Sequence, residues 1–181
     1  MALGATVHKV TVDISDIDRG YYGKHVLTVA QHPSETQERL MLRVLAFCQH
    51  ADERTEFGRG LSTEGEPALW QIDDTGAIAT WVDVGWPDVK QVRKAAGRSD
   101  KVVILTYDEA KYEPWWRSHA GELGKIDKLT VYAIDQHYVE ALAVLVNRNM
   151  KIAVTIQDGV MWVSDDQHNV EVVIKTLQRW D

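Results

Sequence analysis

The sequence is poor in the residues that mark disulfide, zinc and membrane proteins. Cys48 is the single cysteine among 181 residues, so no disulfide can form within the chain. The seven histidines show no HExxH pattern and no paired CxxC motif is present, so a zinc site has no support. No apolar run approaches the ~18 residues that a membrane-spanning helix needs, and the first residues lack the basic stretch and apolar core of a secretory signal. We therefore expect a cytoplasmic protein with no membrane partner.

Positive charge is also scarce. The chain carries 20 lysines and arginines against 27 aspartates and glutamates, which gives a net charge of −7 at pH 7. Proteins that bind nucleic acid over a large surface usually carry an excess of positive charge. A nucleic-acid partner therefore requires a local basic patch, for which the candidates are Arg54, Arg59, Arg93, Arg98 and Lys101. The alternative is that these are scattered surface residues.

The sequence also lacks the phosphate-binding loops GxxxxGK and GxGxxG and the nucleophile motif GxSxG. Nucleotide hydrolysis and serine hydrolysis thus lose their usual support. A content of 45% hydrophobic and 26% charged residues is ordinary for a globular protein. With four prolines and no low-complexity segment the chain shows no linker. We expect a single domain over residues 1–181, with its core at about 33–108.

Residues 66–94 are the stretch around which the chain is organised. Two apolar runs flank residues 73–76, whose composition is typical of a short β-hairpin turn with its glycine at a positive φ. Closing the turn over these four residues predicts the cross-strand pairs Ile72–Ala77, Trp70–Ala79, Ala68–Trp81 and Glu66–Asp83. Two carboxylates then lie opposite each other at the open end of the hairpin. Because like charges in that position destabilise a sheet by about 0.2–1 kcal/mol, we expect Asp83 to have a cationic, hydrogen-bonding or metal partner; the alternative is a frayed strand end in water.

A helix is predicted before this hairpin. It begins at Ser34, which forms a capping box with Gln37, and continues to about residue 50. Glu38 lies three and four residues before Met41 and Leu42, which belong to the apolar stripe of this helix. Its carboxylate is therefore expected on the side of the helix that faces the sheet. The alternative for Glu38 is an exposed position in the first helical turn.

A second helix and a strand follow the hairpin. Residues 87–96 form the helix, which carries Lys90 and Lys94 on its surface. Residues 101–107 are almost wholly apolar, which is typical of a central strand covered on both faces. A right-handed crossover makes this strand parallel to the strand of Asp83. The predicted core is thus a mixed β-sheet flanked by helices, and the fold class is α+β.

Further strands are predicted near both ends of the chain. Alternating apolar and polar residues predict them at 5–13, 25–31, 152–157, 160–164 and 170–177. Asp158 and Gly159 form a strong type I′ turn between two of them. We expect these antiparallel strands to extend or flank the central sheet.

The order of these features resembles the core of the PD-(D/E)XK nuclease superfamily: an acid on a helix, two acids on a hairpin, lysines on a second helix, and a strand. In that superfamily the hairpin carries an acid followed by an acid-x-lysine motif. Here Glu66 is followed by Asp83, and Gly85 occupies the lysine position. The resemblance implies that Lys94, or less readily Lys90, supplies the missing cation.

The chain as a whole resembles the YaeQ family of small bacterial proteins. The resemblance rests on the segments MALGATVHKVTVDISDIDRG, HPSETQERLMLRVLAF, ADERTEFGRGL, WVDVGWPD and TIQDGVMWVSDD. It implies a restriction-endonuclease-like core with added antiparallel strands and a variant active site.

Two functions follow from these interpretations. The first is a Mg²⁺-dependent phosphodiesterase that acts on nucleic acid, in which Glu66 and Asp83 hold Mg²⁺ or Mn²⁺ and Glu38 and Lys94 complete the catalytic group. The second is a non-catalytic binding or scaffold protein on a nuclease-like fold, in which the carboxylates form an acidic pocket. The direction of Lys94 discriminates between them, because the enzyme needs this cation at the open end of the hairpin.

Overall fold

The computed structural model of the protein describes residues 4–59 and 65–181. This part of the chain contains four helices and eleven strands. The helices are α1 Gln37–Gln49, α2 Val89–Arg98, α3 Glu109–Leu123 and α4 Gln136–Ala143. The strands are β1 Thr6–Asp16, β2 Tyr21–Gln31, β3 Thr55–Phe57, β4 Leu69–Ile72, β5 Ile78–Val84, β6 Ser99–Tyr107, β7 Leu129–Ile134, β8 Asn149–Gln157, β9 Val160–Ser164, β10 Asn169–Val173 and β11 Lys175–Gln178. None of the four helices is long and apolar enough to cross a membrane.

The strands form two mixed sheets. A six-stranded sheet has the order β11-β7-β6-β5-β4-β3, and a five-stranded sheet has the order β10-β9-β8-β1-β2. In the first, β5, β6 and β7 are parallel, as predicted for the strand after the second helix. In the second, β1 and β8 are parallel, and the three other pairs of neighbouring strands are antiparallel. The mixed α+β class is confirmed, and most of the added strands build a sheet of their own.

The helices divide between two faces of the six-stranded sheet. Apolar residues of α1 and α4 share one buried cluster with the inner faces of both sheets, so these two helices lie between the sheets. A second cluster holds α2 and α3 against the opposite face of the six-stranded sheet. Strand β5 contributes side chains to both clusters, since Val82 belongs to the first and Trp81, on the other face of the strand, to the second. The prediction of one domain over residues 1–181 stays a prediction.

Both predicted helices exist, with different first residues. Thr36, not Ser34, is the N-cap of α1, and its hydroxyl accepts the Arg39 N–H at 3.1 Å. The Ser34 hydroxyl instead hydrogen-bonds the His32 ring. Helix α2 begins two residues later than predicted because Asp88 forms a capping box with Gln91.

The register of the β4–β5 hairpin differs from the prediction. The turn takes up five residues, since the Asp73 N–H donates to the Ala77 carbonyl at 2.9 Å, and Ala79 then forms a bulge in β5. Trp70 therefore pairs with Trp81 and not with Ala79. The predicted pairing of Glu66 with Asp83 is wrong, since this register leads to Ala68 beside Asp83. A shift of two residues keeps each residue of the two strands on its predicted face of the sheet, and Glu66 lies before the first residue of β4.

The strand predicted at 170–177 is in fact two strands. The chain leaves the five-stranded sheet after β10 and enters the six-stranded sheet as β11. Between them the Ile174 N–H donates to the carbonyl of Gly159 at 2.8 Å. The turn before β9 agrees with the prediction, because Asp158 and Gly159 have φ of 52° and 77°.

Gly58 lies where no side chain fits. Its N–H donates to the Ala68 carbonyl, and a Cβ atom at this position would lie 2.0 Å from the carbonyl oxygen of Pro67. We expect Gly58→Ala to lower the free energy of unfolding by about 1–3 kcal/mol, because the backbone must shift. Gly121→Ala, on the exposed side of α3 with open space around it, is the control and should raise stability by about 0.5–1 kcal/mol. Urea unfolding measures both, and unchanged stability of Gly58→Ala would contradict the expectation.

Candidate functional site

A cavity of about 480 Å³ opens at the carboxyl ends of the parallel strands β5 and β6. Ligands of open α/β sheets characteristically bind outside the carboxyl ends of parallel strands. The charged residues of the lining are Arg39, Glu66, Asp83, Lys94 and Arg98. The cavity therefore combines three cations with two carboxylates.

The chain between β5 and α2 forms the floor of this cavity. Gly85 has a φ of 136°, a conformation that L side chains rarely adopt, and its N–H donates to the Leu105 carbonyl at 3.1 Å. The indole N–H of Trp115 donates to the carbonyl of Pro87 at 2.8 Å. These contacts fix the segment from both sides and hold the first turn of α2, which carries Gln91, against the cavity.

Three of the four predicted catalytic residues line the cavity. Glu66 and Asp83 enter it from the hairpin, and Lys94 enters it from α2. Lys90 lies outside the lining, so Lys94 is the lysine that shares the cavity with the two acids. Glu38 is half-buried and also lies outside the lining.

Asp83 is a half-buried acid with few compensating contacts. Its carboxylate accepts a hydrogen bond from the indole N–H of Trp81 at 2.9 Å. Burial raises the pKa of Asp83, and the Trp81 hydrogen bond, the charge of Arg39 and the N–H of Ala68 oppose this rise without cancelling it. Acids with a raised pKa in a cleft are typical of functional sites.

Glu66 is already held by an arginine. The backbone N–H of Arg59 donates to one carboxylate oxygen at 2.9 Å, and the guanidinium contacts the other at 2.8 Å. These hydrogen bonds lower the pKa of Glu66. The side chain of Arg59 is 77% exposed, whereas that of Glu66 is 12% exposed, so the cation is the displaceable member of the pair.

Arg39 is a cavity residue that the sequence analysis did not identify. Its guanidinium donates to Glu35 at 2.7 Å and to the Val84 carbonyl at 3.3 Å. Glu35 is fully buried, and Arg43 also donates to both of its oxygens at 2.7 Å. The signals in the sequence are the spacing of four residues between Glu35 and Arg39 and the presence of Arg43 within the apolar run of α1.

The predicted basic patch is only partly present. Arg98 lines the cavity, where its guanidinium lies 5.1 Å from the Trp81 ring centroid and donates to the Gly65 carbonyl at 2.8 Å. Arg54 and Arg93 form surface ion pairs with Asp74 and Glu122. Lys101 lies outside the cavity lining. The positive charge at the site therefore comes from Arg39, Lys94 and Arg98.

Aromatic side chains form one wall of the cavity. The rings of Trp86 and Tyr107 have centroids 4.5 Å apart, and the indole N–H of Trp86 donates to the Tyr107 carbonyl. Burial raises the pKa of the Tyr107 hydroxyl, and the charge of Glu38 adds to this rise. The nearby charge of Arg39 opposes this rise in the pKa of Tyr107.

The donor set is compatible with a hard divalent cation. Mg²⁺ usually takes one or two protein carboxylates and keeps several waters. Glu66 and Asp83 supply two carboxylates to one cavity. No cluster of three or more acids, histidines or cysteines capable of holding a metal occurs in residues 4–59 and 65–181, so a site for Mg²⁺ or Mn²⁺ has to rest on these two acids.

The sequence is similar over nearly its whole length to known bacterial proteins. It is 39% identical over 179 residues to the YaeQ protein of Escherichia coli (strain K12) and 38% identical to that of Salmonella typhi, with 99% of each chain covered. The family model described as "YaeQ protein" matches residues 1–174. The chain belongs to the YaeQ family. The resemblance to this family, inferred from sequence segments alone, is confirmed.

Two crystal structures of YaeQ proteins have the same fold. That from Xanthomonas axonopodis pv. citri has a TM-score of 0.94 and 47% sequence identity, covering 96% of this chain and 98% of the other. That from Pseudomonas syringae has a TM-score of 0.91 and 32% identity, covering 97% of each chain. The architecture described above is therefore that of the YaeQ family.

The ion pairs of Glu35 predict a large effect of a small substitution. Removing one member of a buried pair leaves an uncompensated charge, which costs about 3–5 kcal/mol. We expect Glu35→Gln to lower the free energy of unfolding by about 3 kcal/mol, because Arg43 is left buried without a counter-ion. Glu38→Gln, in the first turn of α1 just after Glu35 in the chain, is the control; Glu38 forms no hydrogen bond or ion pair with the described residues, so its change should stay below about 0.5 kcal/mol. Similar losses in both variants of a urea titration would refute the expectation.

Asp83→Asn is expected to stabilise the fold at neutral pH. Burial raises the folded-state pKa of Asp83, so the folded protein binds this proton more tightly than the unfolded chain, and the ionised carboxylate lowers stability above the folded-state pKa. We expect a gain on the order of 1 kcal/mol at pH 7, which shrinks as the pH falls toward about 4.

Asp73→Asn is the control of opposite sign for this pH series. The hydroxyl of Thr75 lowers the pKa of Asp73 by hydrogen bonding, so loss of this carboxylate should destabilise the fold at pH 7 and matter less at low pH. Urea titrations at several pH values measure both variants. An Asp83→Asn protein that is less stable than wild type at pH 7 would contradict the argument.

Proposed function

We propose that this member of the YaeQ family is a metal-dependent phosphodiesterase that acts on nucleic acid, with a variant PD-(D/E)XK site on a restriction-endonuclease-like core. The observation that carries the proposal is the convergence of Glu66, Asp83 and Lys94 on one cavity. Two acids and a lysine are the groups that the superfamily resemblance implies, and here the lysine comes from α2.

Glu66 and Asp83 are the residues proposed to hold Mg²⁺ or Mn²⁺. When bound, such an ion acts as a Lewis acid on a phosphoryl oxygen and lowers the pKa of a bound water. For Glu66 to serve, the exposed Arg59 side chain has to release the carboxylate. For Asp83, a nearby divalent charge favours the ionised form and so offsets the effect of burial.

The cavity cations are proposed to bind the phosphate. The hydrogen bond to Glu35 holds Arg39 in place, so its guanidinium is preorganised to bind an anion. Lys94 lies on the opposite wall and makes no hydrogen bond or ion pair with the described residues, which leaves its ammonium free to stabilise charge that develops on the phosphate.

A second candidate function is binding without catalysis. The specific observation in its favour is the Arg59–Glu66 pair, which occupies one of the two carboxylates that a metal needs. In that case Arg39, Lys94 and Arg98 bind an anion, and the acids only shape the pocket.

Metal titration combined with a cleavage assay separates the two functions. We expect Mg²⁺ and Mn²⁺ to bind the wild type in isothermal titration calorimetry, to bind Asp83→Ala much more weakly, and to support cleavage of a labelled oligonucleotide by the wild type only. Lys94→Gln should retain metal binding and lose about 10²–10³-fold in cleavage rate, which is typical for removal of one electrostatic stabiliser.

Lys90→Gln is the matched control for Lys94→Gln. It removes the same charge from the same helix, at a position outside the cavity, and should cleave like the wild type. Absence of metal binding by the wild type at millimolar concentrations would reject the phosphodiesterase and favour the non-catalytic function.

A further inference from the structure

We infer that the cavity takes one unpaired nucleotide, with its base on the aromatic wall and its phosphate among the cations, so that the substrate is a single strand or a strand end and not a continuous duplex. This inference rests on the proposed function, since it names the substrate of the same site. Three observations support it: Asp83 lies below the protein surface, aromatic residues line the cavity, and the chain as a whole is negatively charged.

Asp83 is recessed. It is half-buried and hydrogen-bonded to Trp81, whose side chain is only 5% exposed. A phosphate group has to enter the cavity to approach this carboxylate. A base-paired helix keeps its phosphates on a wide, stiff cylinder, whereas an unpaired nucleotide enters a pocket alone.

The volume and walls of the cavity fit such a ligand. Pockets for small molecules measure roughly 300–1,000 Å³, and this cavity has about 480 Å³. Trp86 is partly exposed and offers an aromatic surface of the kind on which single-stranded bases stack, whereas Tyr107 is only 7% exposed and packs behind the Trp86 ring. The ammonium of Lys111 lies 4.8 Å from the Trp86 ring centroid, which brings a further cation to the aromatic wall.

The charge outside the cavity is unsuited to a long duplex. Specific duplex binding typically involves several lysines and arginines that contact phosphates along the helix. The net charge is −7, and Arg54 and Arg93 are engaged by Asp74 and Glu122. The cavity instead offers three cations, Arg39, Lys94 and Arg98, which suffice to contact one or two phosphates.

Binding of mononucleotides in the absence of metal tests this inference. AMP, CMP and inorganic phosphate are titrated into the wild-type protein in EDTA and followed by calorimetry. We expect both nucleotides to bind about tenfold more tightly than phosphate, because stacking tolerates different bases. Trp86→Leu should reduce nucleotide affinity to that of phosphate and leave phosphate affinity unchanged.

Two further variants keep the test independent of folding defects. Trp86→Phe retains an aromatic ring and should keep most of the preference for nucleotides over phosphate. Trp162→Leu changes a partly exposed tryptophan in the other sheet and should behave like the wild type. Nucleotides that bind no more tightly than phosphate would overturn the inference, as would an equal loss in Trp86→Leu and Trp162→Leu.

Cleavage assays distinguish failure of this inference from failure of the proposed function. With Mg²⁺ or Mn²⁺ present, we expect a single-stranded oligonucleotide to be cut at least tenfold faster than the interior of the matching duplex. Equal cleavage of both would overturn the inference and leave the phosphodiesterase intact. Selective nucleotide binding without cleavage of any oligonucleotide would reject the phosphodiesterase and retain the nucleotide pocket.

Discussion

The buried carboxylate of Glu35 is the group on which the geometry of the cavity depends. A carboxylate removed from water is stable only when cations and hydrogen bonds surround it. Arg39 and Arg43 provide both, and each has a second contact that leads to a different sheet: Arg39 donates to the carbonyl of Val84 in β5, and Arg43 donates to the carbonyl of Ala30 in β2. One acid thus joins α1 to both sheets, and the orientation of the cavity guanidinium follows from interior packing.

The cavity also shows how an acidic protein presents positive charge locally. Three arginines of the predicted basic patch, Arg54, Arg59 and Arg93, are paired with acids. The fourth, Arg98, lines one concave site together with Arg39 from α1 and Lys94 from α2. The lining has more cations than carboxylates, whereas the whole chain has a net charge of −7. The total charge of the chain is therefore a poor guide to the ligand, and the charge of the cavity is a better one.

The sequence was sufficient for the parts of the fold and site that depend on periodicity. Alternation along the hairpin predicted Glu66 and Asp83 on one face, and both acids do line one cavity. The residues within the strands kept their predicted faces because the register error was two residues, whereas Glu66 lies before β4. The bulge at Ala79 was not predictable, since it reflects how β5 pairs with both neighbours. Arg39 was missed for a similar reason: its role depends on Glu35, and a buried ion pair depends on tertiary packing that a helical pattern does not contain. The division into two sheets was likewise not visible in the pattern of single strands.

The pairing of β1 with β8 determines the order in which the molecule can assemble. Lys9 lies opposite Asn149, so a strand near the start of the chain waits for one synthesised near its end. During that interval β1 and β2 can exist only as a two-stranded ribbon, which is marginally stable alone. Closing so long a loop is entropically costly, and non-local parallel pairing folds slowly. The six-stranded sheet, apart from β11, draws its strands from one continuous stretch of the chain. Glu66, Asp83 and Lys94 therefore all lie in the part of the chain that is synthesised before β8, the strand that joins β1 to the rest of the five-stranded sheet.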